Sequence, residues 1–177
     1  WAAAAATLAH RHEIAAHALE ALAASAAPQS APMPAPAGVP VLLVYTSGTT
    51  GQPKGALHTQ SNLMANAAAA IDMQALTATD RVATVLPLFH VGGLCIQTLP
   101  ALCAGAAVTL HERFDAGALL ASLAQDRPSL TLQVPATMKA LIEHPDLAGT
   151  DLSSLRSVWA CSSTLPEALV AAFHARG

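Results

Sequence analysis

Charge and aromaticity are both scarce in this sequence. Asp, Glu, Lys and Arg supply 11% of its 177 residues, and Phe, Trp and Tyr only 3%. The net charge is −3 and no basic block occurs, which argues against a nucleic-acid or anionic-membrane surface. There are three cysteines, Cys95, Cys103 and Cys161, and none forms a C-x-x-C pair. That excludes a disulfide framework, a zinc ribbon and a thioredoxin-type site. The thiols read as small buried hydrophobes in a reducing, cytoplasmic setting. His10, His12 and His17 sit on the polar side of one Ala-rich segment without acidic partners, so no metal ligands are assigned. Low charge does not mean disorder here. Hydrophobic residues make up 53% of the chain, and a globular chain of this length buries roughly two thirds of its unfolded surface.

Residues 82–111 contain no Asp, Glu, Lys or Arg, which is long enough to suggest a membrane span. Pro87, Gly92, Gly93, Pro100 and Gly105 punctuate the run, and His90 and Gln97 lie inside it. It divides into a strand, a loop, a helix and a second strand. A parallel sheet covered on both faces produces such stretches, so no stable membrane span is expected. The Ala run 2–6 lacks a leading basic region, so no secretory signal is read from it. The chain begins with Trp1 rather than Met, and it is expected to be part of a longer protein.

Residues 1–38 form an Ala-rich helical segment followed by a connector carrying Pro28, Pro32, Pro34 and Pro36. From residue 39 onward the pattern alternates. Strands are expected at 41–45, 81–86, 106–110, 130–134 and 157–160, and helices at 61–76, 92–103, 115–125, 135–143 and from Pro166. Thr59 or Ser61 is the expected cap of the first of these helices, and Gly105 the stop of the second. Alternation with short connections predicts an α/β fold with a largely parallel sheet flanked by helices.

The most informative stretch is Tyr45-Thr-Ser-Gly-Thr-Thr-Gly-Gln-Pro-Lys-Gly55. Three glycines allow backbone N–H groups to turn toward an anion, and the hydroxyls add donors. Lys54, one of two lysines in the chain, brings a compact positive charge. The loop is neither G-x-x-x-x-G-K-[ST] nor G-x-G-x-x-G. A second element, Pro87-Leu-Phe-His-Val-Gly-Gly93, follows the next strand. A neutral His90 imidazole there could donate to a carboxylate or phosphate oxygen.

These two elements resemble the adenylate-forming (AMP-binding) enzyme superfamily, in its acyl-CoA synthetase and fatty-acid–CoA ligase branch. Residues 45–55 match the family's Y-T-S-G-T-T-G-x-P-K-G loop, and 87–93 its P-L-F-H-x-x-G element. A weaker match continues through Phe114-Asp115, Val134-Pro135 and Asp151-Leu-Ser-Ser-Leu-Arg156. The resemblance implies that residues 39–177 are a partial AMP-binding domain, cut at both ends, from the large N-terminal domain of such an enzyme. It implies phosphate contacts from Thr46, Ser47, Gly48, Thr49, Thr50, Gly51 and Lys54. His90 becomes the catalytic, acid-side residue, and Gly92 and Gly93 would leave room for the acyl chain. Where the family carries a G-G-A-P or G-A-A-P turn, this chain has Cys161-Ser162-Ser163-Thr164, so an adenine-side role passes to Ser162 and Ser163. Trp159 reads as a buried strand residue. The family's magnesium-binding Glu, ribose-binding Asp and adenylation Lys are expected beyond Gly177.

The implied reaction is attack of a carboxylate on the ATP α-phosphate, then transfer of the acyl group to coenzyme A, with Mg²⁺ assisting. The partners are then ATP, coenzyme A and a small-molecule acid, fatty or otherwise apolar, with no nucleic acid. Two alternatives stand beside this reading: an amino-acid-activating adenylation domain of a peptide synthetase, and a catalytically inactive nucleotide-binding fragment. Asp80 and Glu112 are the first acidic residues on either side of His90 in sequence, and neither is assigned as a partner for a substrate amine. Residues 1–177 alone are expected not to complete the reaction.

Overall fold

The computed structural model describes residues 7, 10, 11, 36–46 and 53–176. Most of the expected N-terminal helix and of the connector lies outside the described residues, as do Ser47, Gly48, Thr49, Thr50 and Gly51. The chain divides into two units, residues 1–35 and residues 36–177, and the strands with the helices that pack on them belong to the second.

Four strands, β3 (Arg81–Thr84), β4 (Ala107–Leu110), β5 (Leu130–Gln133) and β6 (Ser157–Ala160), form one sheet in the order β4-β3-β5-β6. Every pairing in it is parallel. Successive side chains on a strand point to opposite faces, and both faces here are apolar. Ala83 and Val85 pack with Leu119, Leu120, Leu123, Leu141 and Leu147. Val82 and Leu130 pack on the other side with Leu76, Ala101 and Ala106. Layers of helix, sheet and helix result; the charge-free run 82–111 supplies two of the strands and the helical turn between them, with 82–85 buried and 87–90 exposed. No described helix is long and apolar enough to cross a membrane.

Helix α1 (Gln60–Gln74) is capped by Thr59, whose Oγ1 accepts from the Asn62 N–H while Asn62 Oδ1 accepts from the Thr59 N–H. This reciprocal pair satisfies two backbone donors. Helix α3 (Ala116–Gln125) begins at Asp115, which accepts from the Ala118 N–H. Helix α4 (Pro135–Glu143) opens on proline, and α5 (Glu167–His174) follows Pro166. Asp80, just before β3, accepts from the Arg156 guanidinium at 3.0 and 3.1 Å. That bond, with donors from Ser129 and Thr77, outweighs burial and holds the carboxyl well below the usual carboxylate range. Arg156 also donates to the Gln74 and Ala75 carbonyls, fastening the end of α1 to the amino edge of the sheet.

Three sequence expectations change. The strand at 41–45 is not a buried member of the parallel sheet. It is β1 (Pro40–Thr46), paired antiparallel with β2 (Lys54–Thr59) in a separate two-stranded ribbon. Tyr45 is 69% exposed. β2 is absent from the expected strands, because its Lys-Gly-Ala-Leu-His-Thr sequence has too little β-branched or aromatic content to announce one. The cysteines also differ from expectation: Cys95 is buried, Cys103 exposed and Cys161 half-buried.

The third change concerns the single helix expected over 92–103. Residues Gly92–Thr98 instead form a wide π-helical turn that runs into α2 (Leu99–Cys103). The Leu99 N–H reaches back five residues to the Leu94 carbonyl. Pro100 explains the widening. A proline ring inside an α-helix clashes with the carbonyl four residues earlier, here Ile96, and has no N–H to offer it. The wider turn relieves the clash. Gly105, at φ 79°, then ends α2 in the left-handed region, as expected.

Candidate functional site

In a parallel sheet every strand delivers its following loop to the same edge. From β3 the chain crosses to β4 on one side; from β5 it crosses to β6 on the other. The crossing directions diverge between β3 and β5, and a crevice at such a switch point is where open α/β sheets bind ligands. Leu86–His90 lies directly after β3 at this position.

His90 is exposed. Its Nδ1 accepts from the Gly92 N–H at 3.0 Å. A ring nitrogen that accepts carries no proton, so the neutral imidazole carries its proton on Nε2 and offers it as a donor. This is the tautomer an oxyanion needs. The two following glycines have a different use from the one expected. A Cβ on Gly93 would lie 2.2 Å from the Pro87 carbonyl oxygen and 2.5 Å from that of Leu86. Gly93 therefore lets the π-helical turn close against the backbone that leads to His90, rather than opening space for an acyl chain. A Cβ on Gly92 would approach His90 Nδ1 at 3.1 Å, crowding the bond that sets the tautomer.

Beside this segment lies an apolar cavity of about 600 Å³, walled by Leu86, Leu88, Phe89, Leu110, Phe114 and Val134. It draws on the ends of β3, β4 and β5. Phe89, among the residues that line it, is 90% exposed. Glu112 and its neighbour Arg113 also line the cavity. Glu112 is thus nearer the His90 segment than its sequence separation suggested, although it arrives accompanied by a cation. Asp80 is at the opposite edge, committed to Arg156.

The phosphate-loop candidates divide. Thr46 and Lys54 face one another as the last residue of β1 and the first of β2, and Thr46 Oγ1 donates weakly to the Lys54 carbonyl at 3.4 Å. The ribbon thus acts as a stem that brings the two ends of the loop together. Ser47, Gly48, Thr49, Thr50 and Gly51 belong to the part outside the described residues.

Ser162 and Ser163 follow β6 at the same carboxyl edge as His90. Ser162 sits at φ 76°, a region costly for a residue with a Cβ. The backbone adopts the conformation that a glycine would take at this turn, although glycine is absent. Ser162 Oγ lies 3.2 Å from Cys161 Sγ. Trp159 lies on β6 and packs against the core face that holds Val82 and Leu130, half-buried rather than buried as expected. Among the described residues, no three His, Cys, Asp or Glu side chains come together.

A profile of the AMP-binding enzyme family matches residues 3–177. The chain belongs to that family. Among similar AMP-binding proteins, an indoleacetate–CoA ligase of Aromatoleum aromaticum is 51% identical over 138 residues, covering 78% of this chain and 27% of the relative. A feruloyl-CoA synthase of Amycolatopsis is 39% identical over 136 residues, covering 77% and 28%. The fold also matches the N-terminal domain of FACL13 from Mycobacterium tuberculosis, with TM-score 0.80, 27% identity and coverage of 89% of this chain and 40% of that one. ATP-bound MatB from Rhodopseudomonas palustris matches with TM-score 0.75, 27% identity and coverage of 86% and 30%. The chain thus spans less than a third of the length of these curated AMP-binding relatives.

Sequence reasoning missed the contribution of Leu110–Phe114 to the cavity and the ribbon stem beneath the loop. It also missed the amides on α1 that reach the π-helical turn. The one available signal for that turn was Pro100 inside an otherwise helical run.

Proposed function

We propose that residues 39–177 are part of the adenylation domain of an enzyme that activates an aryl-substituted carboxylic acid with ATP and passes it to coenzyme A. The acid's carboxylate oxygen attacks the α-phosphorus. The bond to the β-phosphate breaks, and pyrophosphate leaves. The coenzyme A thiol then attacks the acyl carbon of the mixed anhydride, losing its proton, and AMP departs with the acyl–oxygen electron pair.

The observation that carries this reading is His90, with its Nε2–H free at the switch point and an apolar cavity of about 600 Å³ alongside. In this reading His90 orients the carboxylate and the cavity takes the acid's apolar body. Thr46, Lys54 and the loop between them hold the leaving phosphates. Ser162 and Ser163 border the adenine. An aryl acid is favoured over a fatty acid because the cavity is walled by Phe89 and Phe114, whose rings can stack on another ring. The names of the indoleacetate and feruloyl relatives point the same way. Mg²⁺ would shield the polyphosphate when bound, but no residue here is assigned to it. Use of coenzyme A and the scarcity of cysteine both fit a cytoplasmic enzyme.

The test uses the full-length protein with ATP, coenzyme A and a panel of indoleacetate, ferulate, a medium-chain fatty acid and an amino acid, following pyrophosphate release. The aryl acids are expected to give the highest kcat/KM. Preference for the amino acid, or no release with any acid, overturns the reading. His90→Ala is expected to raise the KM for the acid more than that for ATP; the reverse pattern removes His90 from the acid side.

A further inference from the structure

The widened turn after His90 has a cost that α1 offsets. In the π register, the backbone partner of the Cys95 carbonyl would be residue 100, a proline without an N–H. The α-register partner, the Leu99 N–H, is already given to Leu94. Cys95 is therefore left with a carbonyl that no helical N–H serves. Ile96 loses to the same proline only its α-register partner; its π-register partner is residue 101. A buried carbonyl without a donor costs as much as a lost hydrogen bond.

Both carbonyls are met from outside the turn, by side chains of α1. Asn66 Nδ2 donates to the Cys95 oxygen at 2.6 Å, and Gln74 Nε2 donates to the Ile96 oxygen at 2.8 Å. Gln74 is itself held, because Gln97 Nε2 donates to its Oε1 at 3.0 Å. Gln97 is buried and keeps its own Oε1 without a partner, an expense that an apolar residue of similar size would avoid. At the front of the same turn Gly93 presses on the Leu86 and Pro87 carbonyls, and the Gly92 N–H holds His90 Nδ1. The register of the turn therefore sets the imidazole. Helix α1, in turn, starts where β2 ends.

We propose that Asn66 and Gln74 are positioning residues: by holding the Cys95 carbonyl, which Pro100 deprives of a donor in the wide register, and the Ile96 carbonyl next to it, they keep the turn in that register and fix His90. They join the helix that follows the phosphate loop to the segment that orients the acid. This inference rests on the proposed reaction for its kinetic consequence, but its structural content stands independently of it.

Two measurements on the full-length protein separate the possibilities. The first is hydrogen exchange, which requires no activity. Asn66→Leu keeps the side-chain bulk but removes the donor, and is expected to speed exchange across residues 92–99 while β3 and β5 stay protected. The second is a double-mutant cycle on the KM for the acid. Asn66→Leu alone, Gln74→Met alone and Pro100→Ala alone are each expected to raise that KM about five- to tenfold with little change in the KM for ATP. Pro100→Ala restores an N–H and permits the narrow register, so Asn66→Leu added to it should have little further effect. Unchanged exchange in 92–99, or effects of Asn66→Leu and Pro100→Ala that simply multiply, overturns the proposal. A wild-type enzyme that releases no pyrophosphate with any acid refutes the reaction instead, and the exchange result still decides the role of Asn66 and Gln74.

Discussion

The two β structures of this chain use similar apolar residues for opposite ends. In the parallel sheet, Leu130 and Val82 are fully buried between helical layers. In the β1–β2 ribbon, Leu43 pairs directly with Leu57, yet both remain exposed, as do Val41 and Tyr45. Burial of a leucine side chain is worth about 1.5–3 kcal/mol, so the sheet holds this part of the molecule together. The ribbon contributes little to that stability among the described residues. Its role is geometric: it sets the two ends of the glycine-rich loop opposite one another. Residues in the sheet should therefore act on folding, and residues in the ribbon on chemistry.

The sharpest way to break this contrast is Leu130→Ala. The substitution empties a fully buried site on a strand paired on both sides, and about 2–5 kcal/mol of stability should be lost. A denaturant midpoint close to wild type would show that the sheet is not the main support. Lys54→Ala tests the ribbon. One charged phosphate contact is worth about 1.5–3 kcal/mol, so adenylation should slow roughly ten- to a hundredfold while the melting temperature stays near wild type. A large drop in melting temperature with normal pyrophosphate release would invert the comparison.

Smaller effects sharpen it. Ser162→Gly removes the cost of a Cβ at φ 76°. It should raise stability by up to about 1 kcal/mol, read as a higher melting temperature. A lower melting temperature would mean that the contact with Cys161 outweighs the strain. Leu57→Thr, on the exposed side of the ribbon, should change stability by no more than about 0.5 kcal/mol. A loss comparable to that of Leu130→Ala would show that the ribbon is covered in the full-length protein.

Much of the architecture is legible in the residues. The alternation from β3 onward follows from short apolar runs punctuated by proline, glycine and capping residues, and Pro135–Glu143 and Ser157–Ala160 fall where the pattern puts them. The features that were not legible turn on contacts that the local run of residues does not name. The exposure of Val41–Tyr45 depends on which strand they pair with, and a five-residue apolar run reads the same in a sheet or a ribbon. The π-helical turn depends on Asn66, 29 residues before the carbonyl it meets. The site shows the same division. The loop and the His90 element are contiguous motifs and stand out. The cavity joins Leu86–Phe89 to Leu110–Phe114, which only the sheet order brings side by side.

That sheet order also bears on how the protein comes off the ribosome. β3 is made before its sheet partners but lies inside the sheet, with β4 on one flank and β5 on the other. The Arg81 N–H finds its acceptor on Ser129, 48 residues later. At a synthesis rate of about 5–20 residues per second, a strand as apolar as Val82–Val85 waits roughly 2–10 seconds with one flank open. During that interval the nascent chain presents an unpaired, uncharged strand edge, the form most prone to pairing with the wrong neighbour. Holding factors that bind emerging apolar segments would find their target here, upstream of Leu130, and lose it once β5 has docked.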